Sequence, residues 1–261
     1  MATIPIGLEL YSVREAFAGD PPGTLKAVAQ MGYTGVEFAG PAVAAGGELK
    51  AMLDEAGLVC CGWHTPWAAV QEDRLEETIA LNAAVGNRYV IIPGIPRQLT
   101  AGREDWLKLA GFFNDLARKL APHGMFTGYH NHHVEFQELD GERPWDTFIG
   151  NTDKGVVMQL DLGNAARGGA DVVAVLQRYP GRARSVHLKP YSFAAARAAG
   201  DDAHAGFRPV IGEDDLPWEE IFRQCETAGG TEWYVGEYES DAYPPLEAVD
   251  RCLKALRAMG K

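Results

Sequence analysis

Acidic and imidazole side chains recur along this chain at the ends of short apolar runs. The segment GYHNHHVEF, residues 128–136, holds three of the chain's seven histidines. Carboxylates and imidazoles bind divalent cations and transfer protons, so their collection in one place would favour either chemistry. Further residues of these two kinds lie at the ends of other apolar runs: Glu9, Glu37, His64, Asp161, His187, Glu237 and Glu239.

The alternation of polar and apolar residues within these runs indicates strands. Side chains two residues apart lie on the same face of a strand. In QLDLGN, Gln159 and Asp161 therefore share one face, and Leu160 takes the other. In SVHLK, His187 and Lys189 share a face in the same way. Each of these strand ends thus has a polar face, and the fold determines where that face points.

Eight such runs alternate with helical segments, which predicts an α/β protein with a (β/α)8 TIM barrel, a single domain over residues 1–261. Segments such as PGTLKAVAQMG have helical spacing of apolar residues and end at Gly. A doubly wound open sheet is the alternative, but it would not direct the polar strand ends to one place. In a barrel they meet at the C-terminal mouth, where active sites lie. The eight runs are residues 6–11, 34–39, 58–64, 88–94, 125–131, 156–162, 184–189 and 233–238.

The composition disfavours several classes of partner. The chain is 46% apolar and 23% charged, as ordinary globular proteins are. Its 24 Lys and Arg against 36 Asp and Glu give a net charge of −12, which disfavours nucleic acid and membrane as partners. We expect a cytoplasmic location, because the sequence has no signal-like or membrane-spanning run and its four cysteines lack metal-binding spacing. The sequence is compatible with a homo-oligomer.

Several carboxylates directed into one barrel mouth would repel one another and destabilise the fold. A divalent cation relieves this repulsion, and carboxylates with an imidazole suit Mn²⁺, Mg²⁺, Co²⁺ or Zn²⁺. His130 and His132 point into the mouth if the fifth strand continues through Asn131. Glu135 has the opposite parity and joins them only if the chain turns near His132. The sequence therefore predicts one divalent metal ion as a cofactor.

Six motifs in chain order resemble the xylose isomerase-like TIM-barrel family of sugar isomerases and epimerases: LELYSVRE, GVEFAG, GYHNHHVEF, QLDLGN, HLKP and VGEYE. The similarity covers essentially the whole chain. It is nearest to the branch of sugar phosphate isomerases and epimerases that includes relatives of inosose dehydratase. The resemblance implies one divalent ion held at Glu135, Asp161, His187 and Glu237, with His130 competing for the position of Glu135. One departure is Pro190 in HLKP, where many relatives carry an acidic residue.

The chemistry that these residues favour is proton abstraction next to a carbonyl group of a small carbohydrate. A metal ion bound to two substrate oxygens stabilises the enediolate, and a carboxylate or imidazole moves the proton. We therefore expect an isomerase or epimerase of a small sugar or keto-sugar. The catalytic candidates are Glu135, Glu237, His130, His132 and Lys189. The substrate-binding candidates are Glu9, Tyr11, Glu37, His64, Arg208 and Glu239.

Three alternatives remain. A dehydratase or lyase acting on a keto-sugar or keto-inositol would use the same enediolate. A metal-dependent hydrolase of the amidohydrolase type would use the pair His130 and His132, although such hydrolases carry this pair on their first strand. A sugar-binding barrel that has lost its metal is the third alternative, and the intact set of Asp161, His187 and Glu237 argues against it.

The loops at the predicted mouth are acidic, so we expect an unphosphorylated substrate. Barrels commonly bind phosphate with the loops after strands seven and eight. Here those loops read VIGEDDLP and EYESDAYPP. The connection of residues 191–213 is the longest after a strand, and we expect it to form a lid that brings Phe207 and Arg208 to the substrate.

Overall fold

Eight parallel strands close into a barrel in the computed structural model, which describes residues 3–200 and 202–261. Each strand pairs with its neighbours in chain order, and the last strand pairs with the first. The predicted TIM barrel is therefore confirmed, and the open sheet is wrong. The strands are β1 Ile6–Glu9, β2 Gly35–Ala39, β3 Val59–His64, β4 Tyr89–Ile92, β5 Phe126–His130, β6 Val157–Asp161, β7 Ser185–Leu188 and β8 Trp233–Gly236.

Helices connect the strands and cover the outside of the barrel. Sequence signals set their ends: Asp20 caps α2 by accepting a hydrogen bond from the Gly23 backbone N–H, and Gly32 ends it with a φ of 108°. No helix within the described residues is long and apolar enough to span a bilayer. The helices are α1 Arg14–Gly19, α2 Pro21–Met31, α3 Gly46–Ala56, α4 Leu75–Val85, α5 Arg103–Leu120, α6 Pro144–Gly150, α7 Leu162–Arg167, α8 Val172–Arg178, α9 Phe193–Ala198, α10 Trp218–Gln224 and α11 Pro245–Ala258.

The main hydrophobic core lies between the outer face of the barrel and the helices that pack on it, which bury their apolar faces there. A separate small cluster consists of Tyr89, Ile91 and Val157. Val157 lies two residues before Gln159 on β6, so the two side chains share the inward face. The small cluster thus fills the barrel interior beneath the polar strand ends, and the mouth is left to polar residues.

An irregularity in the pairing of β2 with β3 makes room for Glu37. Val36 pairs with Cys60, but Glu37 pairs with Gly62, so β3 has one extra residue at this point. A Cβ atom built on Gly62 would lie 2.0 Å from Oε1 of Glu37. The absence of a side chain at Gly62 therefore lets the Glu37 carboxylate lie inside the barrel.

The described residues of the long connection, 191–200 and 202–213, are folded. They contain α9 and a 3-10 turn, Ala203–Phe207, and the Ser192 backbone N–H donates to the Gly206 carbonyl at 2.8 Å. The ring of Phe207 is buried and packs 5.1 Å from the ring of Tyr191. The segment is therefore held to the barrel by its own contacts, and its movement as a lid stays a prediction.

Candidate active site

Polar side chains fill the C-terminal end of the barrel, where the alternation of the strands places them. They share two properties: each is buried, and each lies within a strand or directly after one. We call this set the polar layer. Its members are Glu9, Glu37, His64, His130, Gln159, Asp161, His187, Lys189 and Glu237.

Four members of the polar layer lie close enough together to hold one ion. His130, Asp161, His187 and Glu237 each offer one ligand atom, and these atoms lie within 4.8 Å of one another. Two ligand atoms that bind an ion from opposite sides, each at about 2.1 Å, would be about 4.2 Å apart. The four ligand atoms would therefore need to move only slightly closer together to bind one ion. We call these four residues the donor cluster.

One oxygen of Asp161 shows that the donor cluster suits a cation. Its Oδ2 atom is buried without a hydrogen-bond partner and lies 3.8 Å from Nε2 of His130. Its Oδ1 atom accepts a hydrogen bond from the Asn164 backbone N–H at 2.6 Å. Burial, and after it the Glu237 carboxylate, raises the pKa of Asp161 well above its usual value. A buried carboxylate oxygen without a donor, beside further ligand atoms, fits a divalent cation.

His130 has the protonation state that a ligand needs. Burial, together with His187 and His64, lowers its pKa well below the usual value, so its imidazole is neutral. Its Nδ1 atom lies 3.1 Å from Oε1 of Gln159. The other ring nitrogen, Nε2, therefore faces Asp161 and is the one that can bind an ion.

His187 lies between two carboxylates. Its Nε2 atom is 2.5 Å from Glu37 and its Nδ1 atom is 2.8 Å from Glu237. Burial opposes the charged form, but the two carboxylates raise the pKa of His187 well above its usual value. The imidazolium neutralises these carboxylates as a metal ion would, and binding of an ion requires that proton to leave.

Lys189 is a buried cation surrounded by acidic groups. Its Nζ atom donates to Oε1 of Glu237 at 2.7 Å and also contacts Glu239. Burial opposes its charge, but Glu237, Asp161 and Glu239 raise the pKa of Lys189. The ring of Phe207 lies 5.1 Å from Nζ, which adds a cation–π contact. Lys189 therefore forms ion pairs with both glutamates.

His64 joins the two carboxylates of the first two strands. Its Nδ1 atom is 2.7 Å from Glu9 and its Nε2 atom is 3.3 Å from Glu37. These charges raise the pKa of His64 to about 9 against the effect of burial. Burial, and after it the Glu237 charge, raises the pKa of Glu9 to about 7. Oε2 of Glu9 is buried without a partner, so a substrate hydroxyl could supply the donor it lacks.

Glu135 is not part of the donor cluster, which corrects its expected place there. β5 ends at His130, and the chain then turns into a 3-10 helix, Val134–Phe136. Oε1 of Glu135 accepts a hydrogen bond from the Tyr129 hydroxyl and Oε2 accepts one from the His132 backbone N–H, both at 2.7 Å. Both carboxylate oxygens thus hold the turn, and His130 takes the fourth position in the cluster.

A cavity of about 310 Å³ connects the polar layer to the surface. Of the predicted substrate-binding residues, Glu37 lies beneath this cavity, and the exposed Arg208 is not among its walls. The Arg208 carbonyl instead accepts a hydrogen bond from the Tyr238 hydroxyl at 2.6 Å. The polar and aromatic walls of the cavity are Glu9, Tyr11, His64, His130, His132, Lys189, Glu237 and Glu239.

Sequence reasoning missed Gln159 and Asn131 as residues that organise the site. The Gln159 side chain lies 2.7 Å from Nε2 of His64 and donates to Oε1 of Glu37 at 2.9 Å. The Asn131 side chain accepts from the Asp161 N–H at 2.8 Å and donates to the Asp161 carbonyl. Gln159 shares the strand face of Asp161, and this parity was the signal that could have identified it.

Known proteins with related sequences include an inosose dehydratase and a rhizopine catabolism protein. An inosose dehydratase from Klebsiella pneumoniae is 27% identical over 261 residues, which cover 88% of this chain and 87% of its own. The rhizopine catabolism protein MocC of Rhizobium meliloti is 27% identical over 251 residues, covering 85% and 76% respectively.

Comparison with solved structures supports the fold. A sugar phosphate isomerase/epimerase from Parabacteroides distasonis has a TM-score of 0.80 and 24% identity, over 99% of this chain and 95% of its own. The xylose isomerase-like TIM barrel family matches residues 25–259. This match covers most of the chain, so the protein belongs to the xylose isomerase-like TIM barrel family.

Proposed function

We propose that the protein is a divalent-metal-dependent isomerase or epimerase that removes a proton next to a carbonyl group of a small, unphosphorylated sugar or keto-sugar. The observation that carries this proposal is the buried donor cluster, two of whose members, His130 and Glu237, line the cavity. A bound ion would polarise the carbonyl oxygen of the substrate. Membership of a family that contains isomerases and epimerases supports the same class of enzyme.

The side chains around the cavity would transfer the proton. Partial burial lowers the pKa of His132, so this residue presents a neutral imidazole that can accept a proton. Burial acts against the charge of Glu237, but Lys189 and His187 hold its pKa well below the usual value, so it is a carboxylate and a second carrier. Lys189 would donate a hydrogen bond to a substrate oxygen as negative charge develops there. His132 would thus take the role of proton carrier that was expected of Glu135.

A dehydratase is the second candidate, and the relative named inosose dehydratase, which matches 88% of this chain, favours it. The first step would be the same proton abstraction, after which a hydroxyl group β to the carbonyl leaves as water. His64 lines the cavity, and its pKa of about 9 keeps it protonated at neutral pH. It would therefore be able to protonate the departing hydroxyl.

The hydrolase alternative has less support. A hydrolase of this type needs His130 and His132 as a pair of metal ligands. Among the described residues, His132 is not a member of the donor cluster. The two rings lie 5.5 Å apart, and His132 is at the exposed rim. This geometry favours proton transfer by His132 over metal binding.

Solvent deuterium exchange tests the proposal. The Mg²⁺-loaded protein is incubated in D₂O with a panel of keto-sugars and keto-inositols, and the products are read by proton NMR against a chelated control. Deuterium next to the carbonyl together with a new isomer or epimer supports the first candidate, and loss of water supports the second. If no substrate exchanges or eliminates, both are wrong.

A further inference from the structure

A second cavity, of about 120 Å³, adjoins the active-site cavity. Tyr11 and Ala39 form walls of both cavities, so these two side chains lie at the boundary between them. The second cavity lies outside the barrel between the ends of β1 and β2. We call it the side pocket, and its principal walls are Tyr11, Arg14, Phe17, Phe38, Val43 and Trp63.

The inner walls of the side pocket are apolar and firmly packed. The ring centroid of Phe38 lies 6.0 Å from that of Phe17 and 4.7 Å from that of Trp63, and all three side chains are buried. Nε1 of Trp63 donates to the Gly40 carbonyl at 2.8 Å, which fixes the loop that follows β2. These walls present carbon surface without a free donor or acceptor, so they suit an apolar ligand group.

The outer edge of the side pocket exposes unusual apolar residues. Val43 is 55% exposed and Tyr11 is 41% exposed, although both are large and apolar. The Arg14 guanidinium lies 4.4 Å from the Tyr11 ring centroid and donates to the Tyr11 carbonyl, which holds this ring at the boundary of the two cavities. A ligand in the active-site cavity would therefore meet an ordered aromatic wall on this side.

We propose that the side pocket binds an apolar, ring-sized substituent of the substrate while the sugar part occupies the active-site cavity. This inference rests on the proposed function and narrows it to sugars that carry such a group. The volume suits a single six-membered apolar ring, because apolar cavities of about 150 Å³ bind benzene. A second sugar ring is less suited to this pocket. The hydroxyl groups of the sugar would lose hydrogen bonds to water, and among the residues that line the pocket Arg14 is the one charged side chain.

Three ligands of one sugar test the inference with the full-length protein in Mg²⁺: phenyl, methyl and glucosyl β-D-glucopyranosides. We expect the phenyl compound to bind about tenfold more tightly than the methyl compound by calorimetry, with its ring protons saturated in ligand-observed NMR. Equal or absent binding of the phenyl compound would overturn the proposal. Tighter binding of the disaccharide would also overturn it, because that result indicates a second sugar subsite.

Two variants test whether the preference for the phenyl compound arises in the side pocket. In Val43→Trp the indole would fill the edge of the side pocket, and the preference for phenyl over methyl should fall towards one. Val59→Trp is the matched control, because Val59 is 52% exposed at the start of β3, the opposite end of the barrel, and it should keep the preference. A preference that survives in a folded Val43→Trp protein would contradict the proposal.

The deuterium exchange assay distinguishes a failure of the side-pocket proposal from a failure of the proposed function. If a keto-sugar exchanges but no phenyl preference exists, the side-pocket proposal is wrong and the proposed function stands. If the phenyl preference exists and is lost in Val43→Trp but no substrate exchanges, the pocket stands and the proposed function is wrong.

Discussion

Lys189 carries a positive charge into the barrel, where it is almost completely buried. A buried cation is tolerated only when hydrogen-bonded carboxylates surround it, and Glu237 and Glu239 do so. Glu237 has a second contact, with His187, which belongs to the donor cluster. We therefore expect the two glutamates to differ in function although both contact the same ammonium group.

This difference gives a prediction for a matched pair of variants. Glu237→Gln should reduce deuterium exchange at least about 100-fold and weaken Mn²⁺ binding, because it removes a ligand and a proton carrier. It should also lower the free energy of unfolding by about 1.5–3 kcal/mol, since a charged hydrogen bond is lost. Glu239→Gln should keep Mn²⁺ binding, because Glu239 is outside the donor cluster. Calorimetric titration with Mn²⁺ and thermal melting measure both effects, and equal metal affinity in the two variants would contradict the assignment.

A second pair of variants decides which fifth-strand residue is the ligand. His130→Ala should lose stoichiometric metal, because it removes one of the four donors. Glu135→Gln should keep the metal and lower the melting temperature, because Glu135 accepts hydrogen bonds from the Tyr129 hydroxyl and the His132 backbone N–H. Metal analysis after gel filtration gives the answer. The opposite pattern would restore Glu135 as the ligand.

At the level of elements, the junction of β6 and α7 positions the site. Asp161 is the last residue of β6 and the N-cap of α7, where its Oδ1 atom accepts from the Asn164 backbone N–H. The Asn131 side chain, just after β5, binds both backbone groups of Asp161. One carboxylate thus ends a strand, starts a helix and offers its free Oδ2 atom to the donor cluster.

The two roles of Asp161 can be separated. Asp161→Asn can keep the cap through its amide oxygen but loses the charge, so it should melt near the temperature of the unchanged protein and lose metal. Asp161→Ala loses the cap as well and should be about 0.5–2 kcal/mol less stable than Asp161→Asn. Melting curves in chelator isolate the cap, and metal analysis isolates the ligand. Equal stability of the two variants would show that the cap contributes nothing.

At the level of the whole molecule, acidic groups outnumber basic ones, and Glu9, Glu237 and Glu239 line the active-site cavity. The net charge is −12, and the loops after β7 and β8 carry Glu213, Asp215, Glu239 and Asp241. Two buried cations of the cavity, Lys189 and the protonated His64, are already paired with carboxylates. The double charge of a phosphate would therefore meet more repulsion than these paired cations offset.

We accordingly predict that free sugars are better substrates than their phosphates. Paired assays at equal concentration should give a higher kcat/KM for the free sugar. The preference should shrink as salt is added, because salt screens the repulsion from exposed carboxylates. A tenfold preference for the phosphate, equal to about 1.4 kcal/mol, would show the prediction wrong.

The four cysteines give a prediction on the folded state. All four are buried and unpaired. Burial raises the pKa of Cys225 and Cys252 to about 12, and it also raises the pKa of Cys60 and of Cys61 well above the usual value. Thiol titration at neutral pH should therefore be slow in the native protein and should reach four groups in denaturant. A fast-reacting thiol in the native protein would indicate local opening.

Alternation along the sequence was enough to predict the barrel and most of the residues that point into it. Strand alternation is a local property, so QLDLGN and SVHLK showed which side chains share a face before any contact was known. Parallel strands in a closed barrel then bring their C-terminal ends together, and Asp161, His187 and Glu237 meet as predicted. The correct placement of these three residues depends only on local periodicity and fold class.

The neighbours of each of these residues, in contrast, depend on long-range contacts that alternation does not reveal. Parity stops at the end of a strand, so the turn after His130 that takes Glu135 away from the cluster could not be read from alternation. The side pocket likewise joins Phe17, Phe38 and Trp63 from three separate elements. Their distances depend on strand register and loop packing, and these are set by contacts between residues far apart in the chain.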